Sequence, residues 1–149
     1  MIPIEDILAI EQLLNRYCHV LDRGTVDELV ELFHPTAVLF PIYEGENRYE
    51  GWKAILAWYT NYKNRVQARL KFLRHKVQSP FISIEDDSAI SVSYLDADSI
   101  KINTNEPIIT FGRYDDMLVK DYGIWYFKER RIYIYYSYIL KGVSPERGR

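Results

Sequence analysis

The hydrophobic pattern changes period part-way along the chain, and this change constrains the fold more than any single residue. Up to about residue 65 apolar residues recur at helical spacing, and from about Ala68 onward they alternate. The stretch "PIEDILAIEQLLNRYCHVLDRG" opens on Pro3 and two acids and closes on Arg23-Gly24, which is helix punctuation. Ile7, Ile10, Leu14, Tyr17 and Leu21 form its apolar stripe, widened by Leu13 and Val20. Thr25-Val-Asp-Glu28 reads as a capping box that starts a short second helix, with Leu29, Leu32 and Phe33 on its buried side and His34-Pro35 as its stop. "AVLFPIYEGENRYEG" predicts two short strands around a turn, and "WKAILAWYTNYKNR" a third helix with Trp52, Ile55, Leu56 and Tyr59 on its apolar side. Beyond it, turns at Asp86-Asp87, Asn103–Pro107 and Asp121–Gly123 separate long alternating runs, so antiparallel pairing is expected. Helices followed by a sheet is an α+β order. Helices with one apolar side each must cover one face of that sheet. A strongly curved, mostly antiparallel sheet so covered encloses a hollow.

Composition narrows the classes. The 149 residues fit one domain, expected over residues 1–142, with a frayed tail over residues 143–149. A chain that is 48% hydrophobic is not disordered, and thirteen tyrosines suit a half-wet cavity. A formal net charge of −2 gives no general attraction to nucleic acid. The N-terminus has no basic segment ahead of Glu5 and Asp6, and no apolar run reaches the ~18 residues of a membrane span. A single cysteine, Cys18, forms no internal disulfide. The expectation is a soluble, cytoplasmic protein. Three histidines and one cysteine without ligand spacing give no metal site.

"KFLRHKV", Lys71 to Val77, holds the leading candidate. As a strand it puts Leu73, His75 and Val77 on one face, and Phe72, Arg74 and Lys76 on the other. The second face is wet and the first is dry. A histidine on a dry face needs partners for its nitrogens. The residue type titrates near ~6.5, so it can accept a proton near neutral pH.

Several stretches, taken in order from Ile4 to Tyr136, resemble the SnoaL-like superfamily within the nuclear transport factor 2-like fold. They are "LLNRYCHVLDRGTVDELVELFHPTAV", "GWKAI", "RHKVQS" and "GRYDDMLVKDYGIWYFKERR". The resemblance implies helices on a cone-shaped, curved sheet with an internal pocket. In the scytalone dehydratase and bile-acid dehydratase branch, a helix tyrosine lies over the pocket and an aspartate supports a pocket histidine. By position these are Tyr17, Asp22 and His75. The chain has Ser79 where many relatives carry asparagine, and no histidine after His75 to supply scytalone dehydratase's second one. The resemblance implies a cofactor-independent enzyme acting on an apolar, cyclic or polyketide-like molecule. Dehydratase chemistry comes first, and isomerase or cyclase chemistry second. The alternative is a binding or assembly domain, like the small subunit of ring-hydroxylating dioxygenases.

If His75 gives one ring N–H to Asp22, its other nitrogen faces the pocket as a base, and the Tyr17 phenol can donate to a developing oxyanion. Tyr17 and Asp22 are five residues apart, about 140° around an ideal helix, so both do not point the same way from a regular one. Weaker candidates for substrate contact are Tyr94, Asp96 and Asp98, alternating with Ile90 and Val92, and Arg131, placed on a face with Trp125, Phe127 and Glu129. Arg131 can bind an anionic group or pair with Glu129. Trp52, Trp58 and Phe40 are candidate pocket walls. Tyr126, Ile132, Ile134 and Tyr136 would leave much apolar surface on the outer sheet face, so a homo-oligomer, a dimer first, is expected.

Overall fold

The computed structural model describes residues 3–142; the tail over residues 143–149 lies outside the described residues. Helix α1 runs Ile4–Arg23 and buries Ile10, Leu13, Leu14, Tyr17, Cys18 and Leu21. Each fully buried side chain of this size contributes roughly 1.5–3 kcal/mol. Gly24 follows α1 in an extended conformation, φ −89° and ψ −176°. It is needed there for space, since a Cβ would sit 2.7 Å from Glu28 Oε2 and 2.9 Å from Val20 O. Helix α2, Val26–Val30, starts on the expected capping box, with both Thr25–Glu28 hydrogen bonds formed.

Helix α2 stops earlier than His34-Pro35. Strand β1, Phe33–Pro41, already begins at Phe33, because the Phe127 N–H of the last strand claims the Leu32 carbonyl at 3.0 Å. Pro35 falls where the ladder of β1 is irregular, between Phe33 and Val38, as a residue without an N–H must. After β2, Tyr49–Glu50, helix α3 spans Gly51–Arg65 and buries Ile55, Trp58 and Tyr59.

Four long strands follow: β3 Leu70–Glu85, β4 Ser88–Lys101, β5 Pro107–Asp121 and β6 Ile124–Ile139. With β1 and β2 they form one curled six-stranded sheet in the order β2-β1-β6-β5-β4-β3. Every pair is antiparallel except β1 with β6, so the sheet is mixed. The helices cover its inner face.

Beyond the irregular β1 ladder, four register shifts bend the sheet. Phe72 and Ser79 take positive φ (56° and 50°) where the β3–β4 register shifts, and these bulges bracket the His75 segment. In β6 the register skips Lys128 and Tyr135. Gly112 lies opposite the second skip, where a Cβ would fall 1.9 Å from Tyr133 O, so only glycine fits.

The β6 bulges overturn the expected faces of the last strand. Trp125 and Phe127 point inward, but after Lys128 the inward residues are Arg130, Ile132 and Ile134. One inserted residue moves every later side chain to the other face. Ile132 and Ile134 therefore line the interior instead of an outer patch, and Arg131 leaves the Trp125 face. Among the described residues no helix is long and apolar enough to cross a membrane.

Candidate active site

A cavity of about 330 Å³ lies between the helices and the curled sheet. Its wall is mostly apolar, with Leu21, Leu73, Leu95, Ala97, Ile132 and Ile134 among its residues. Tyr17, Tyr59, Tyr62 and His75 bring polar atoms to that wall. Trp58 lines it as well, its indole N–H given to Glu44 at 3.1 Å.

The structure brings His75 and Asp22 together. His75 Nδ1 lies 2.6 Å from Asp22 Oδ1, and the His75 backbone N–H donates to Asp22 Oδ2 at 2.8 Å. One carboxylate thus holds both the ring and the backbone of the same residue. A carboxylate only accepts, so in the neutral form of the ring Nδ1 carries the proton and Nε2 the lone pair. Among the described residues Nε2 has no hydrogen-bond partner. Both side chains are largely buried, at 10% and 9% exposure. Burial strengthens a charge-assisted hydrogen bond.

The position of Asp22 follows from the end of α1. The last carbonyls of a helix lack intrahelical donors. The Gln67 amide donates to Leu21 O at 2.9 Å and Asp22 O at 3.2 Å, and Lys63 Nζ to Gly24 O at 2.6 Å. These bonds pin the last turn and put cationic charge at its negative end. The angular separation of Tyr17 and Asp22 is thereby accommodated. Tyr17 lines the cavity, Asp22 lines a separate groove between α1 and β3, and His75 borders both spaces.

Tyr17 is fully buried, and its hydroxyl lies 2.6 Å from that of Tyr59. Burial pushes its phenol up to about 12, although the Arg130 charge pulls the other way. Burial likewise holds the Tyr59 and Tyr114 phenols well above their ordinary range. These phenols stay protonated at neutral pH.

Beneath Tyr17 is a group the sequence reading missed. Arg130 is fully buried and pairs with Asp116 through two bonds of 2.8 and 3.0 Å. Its guanidinium stacks on Tyr114, Tyr17 and Phe127 at 3.8, 4.0 and 4.2 Å from the ring centroids. Burial alone would lower its basicity, but the Asp116 carboxylate overrides this and holds it above the ordinary arginine range. Two adjacent arginines offered no signal for which one is internal; the β6 bulge decides it.

The other candidates lie elsewhere. Tyr94, Asp96 and Asp98 project from the outer face of β4, because Leu95, Ala97 and Ser99 take the cavity side. Asp98 pairs with Arg74 and Lys76, at 2.9 and 2.8 Å, and Asp96 accepts from Gln78. Arg131 pairs with Glu129 at 2.6 Å and covers the Phe40 ring at 4.2 Å, so neither Arg131 nor Phe40 lines the cavity. Trp52 is 40% exposed and donates to Phe33 O at 2.7 Å, outside the cavity. Among the described residues no three His, Cys, Asp or Glu side chains converge as metal ligands would.

The family model for the SnoaL-like domain matches residues 3–131. The chain belongs to the SnoaL-like family. No curated protein matches the sequence of this SnoaL-like protein. Solved structures do match its fold. A candidate scytalone dehydratase from Novosphingobium aromaticivorans is 21% identical with a TM-score of 0.79, covering 98% of this chain and 95% of that one. Hexachlorocyclohexane dehydrochlorinase LinA-type3 from Novosphingobium barchaimii is 17% identical with a TM-score of 0.79, covering 97% and 96%. A cystatin-like protein from Nostoc punctiforme is 20% identical with a TM-score of 0.75, covering 89% and 93%. At these identities the likeness is one of fold, the nuclear transport factor 2-like α+β fold of this SnoaL-like chain.

Proposed function

We propose that the protein is a cofactor-independent lyase of the dehydratase type, acting on an apolar cyclic or polyketide-like molecule. The observation that carries this reading is the doubly held His75, a residue of the apolar cavity wall whose Nε2 has no hydrogen-bond partner among the described residues. In this reading Nε2 takes a proton from a carbon next to a carbonyl. The C–H electron pair becomes the new C=C bond. The leaving hydroxide departs with its own pair and takes the proton back from the imidazolium, so water is lost and His75 is restored. Asp22 balances the imidazolium charge in between. The Tyr17–Tyr59 pair uses one of its two hydroxyl protons internally and keeps the second for the carbonyl oxygen. The names of two fold relatives, a dehydratase and a dehydrochlorinase, support elimination. Isomerisation or cyclisation would use the same proton transfers.

Cyclic β-hydroxyketones, followed by the ultraviolet absorbance of the enone product, test this. His75→Ala is expected to lower kcat by about 10²–10⁴-fold. Asp22→Asn should act on kcat more than on KM, and Tyr17→Phe separates the hydroxyl from the ring. If folded His75→Ala and Tyr17→Phe turn over at the wild-type rate, the enzyme reading fails.

The same proposal has a single domain over residues 1–142 working in the cytoplasm as a homo-oligomer, a dimer first. The outer sheet face favours assembly, with Tyr136 56% and Tyr138 43% exposed and the Phe111 ring 5.2 Å from Tyr136. That ring cluster also supports the second reading, a non-catalytic binding or assembly domain.

A further inference from the structure

The mouth of the cavity carries charge that the chemistry above does not use. Beside the cavity lies an open groove of about 620 Å³. The two spaces adjoin, since Val66, Leu70 and Ile108 border both, and Val66 is 46% exposed, which puts this boundary at the surface. The charged side chains of the groove are Arg65, Arg69 and Lys101, with no carboxylate among its lining residues. Arg65 and Arg69 also border a second depression that shares Tyr43, Trp58 and Tyr62 with the cavity. None of the three cations forms a salt bridge with a carboxylate among the described residues. Of the nearby acids, Glu106 pairs with Lys141 at 3.1 Å and also feels the Lys101 charge, and Glu44, on the second depression, accepts from Trp58. Three cations without a salt bridge among the described residues thus gather at one apolar mouth, on a groove lined by no carboxylate.

Given the proposed function, on which this rests, we infer that the substrate is amphiphilic, with an apolar ring in the cavity and an anionic group on the Arg65–Arg69–Lys101 rim. The anion is a carboxylate on the ring or a phosphoester on a longer tail. Either is steered and held by the same three charges.

Two fluorescent probes with one ring system test the inference: N-phenyl-1-naphthylamine, neutral, and 8-anilinonaphthalene-1-sulfonate, anionic. Wild-type protein should bind the sulfonate roughly tenfold more tightly (~1.4 kcal/mol) than the neutral dye, because each exposed pair adds a modest increment. Arg65→Gln/Arg69→Gln/Lys101→Gln and high salt should each abolish that preference while leaving the neutral dye bound. Stronger displacement of the sulfonate by 1-naphthyl phosphate than by 1-naphthoate assigns a phosphoester, and the reverse order a carboxylate. Neutral-dye binding with no gain for the sulfonate, or a gain that survives the triple substitution, overturns the rim and leaves the cavity reading intact. Failure of both dyes to bind overturns the cavity reading and the rim together.

Discussion

Replacing Arg130 with methionine should be among the most damaging single changes in the molecule. Both members of the Arg130–Asp116 pair are 0% exposed at their side chains. Removing the guanidinium leaves a carboxylate in the core without either of its bonds, at 2.8 and 3.0 Å. It also strips the cation from between the rings of Tyr17, Tyr114 and Phe127. Breaking a buried pair from one side costs roughly 3–5 kcal/mol, because the surviving charge is uncompensated. The double variant Arg130→Met/Asp116→Leu removes both charges and fills the space with apolar atoms. It should recover most of that loss, since the cost lies in the orphaned charge. Urea unfolding followed by circular dichroism measures both, with an unchanged m-value keeping the comparison two-state. A loss below about 1 kcal/mol for Arg130→Met, or a double variant no better than the single one, would mean that the orphaned Asp116 charge is not the source of the cost.

Alkaline pH should unfold the protein through its buried phenols. Burial raises the Tyr17 phenol from 10.0 to about 12, so below pH 10 neither state ionises, and above it the unfolded chain loses its proton first. Stability from this one group is intact below pH 10 and falls by roughly 2–3 kcal/mol as pH rises through about 12, with Tyr59 and Tyr114 acting in the same direction. Urea midpoints that stay level between pH 9 and 12 would contradict it. For assembly, sedimentation at about tens of micromolar should show a dimer that Tyr136→Lys dissociates, and monomer alone would count against the outer-face interface.

The elements were legible where local chemistry decides them. The α1 stripe, the Thr25–Glu28 box and the turns before β4 and β6 all depend on residues near one another in sequence. The Asp22–His75 contact was legible by a different route, through a histidine on a dry strand face and a family position. What failed were period-2 readings carried across bulges. Lys128 and Tyr135 each add a residue to β6, so Ile132 and Ile134 turn inward and Arg130, not Arg131, enters the core. Nothing at Lys128 marks it as a bulge, because the skip depends on how β5 and β1 both pair with β6. For β4 alternation held, and the error was in the choice of face. Asp96 and Asp98 face outward because the small and apolar Ala97 and Leu95 are needed at the cavity wall. Trp52 shows a third limit. It lies on the helical period of α3, but the first turn of that helix runs past the edge of the core, and its indole is spent on the Phe33 carbonyl.

The proposed chemistry requires a lone pair on His75 Nε2, which Asp22 secures by holding the ring proton on Nδ1. A long-range nitrogen–proton correlation spectrum of the imidazoles reads this directly, with His75→Gln used to assign the signal. The prediction is a neutral ring protonated at Nδ1, whose Nε2 resonance shifts when N-phenyl-1-naphthylamine is added, while Asp22→Asn disturbs the tautomer. A His75 ring protonated at Nε2, or one whose Nε2 does not respond to a bound apolar ligand, would contradict it.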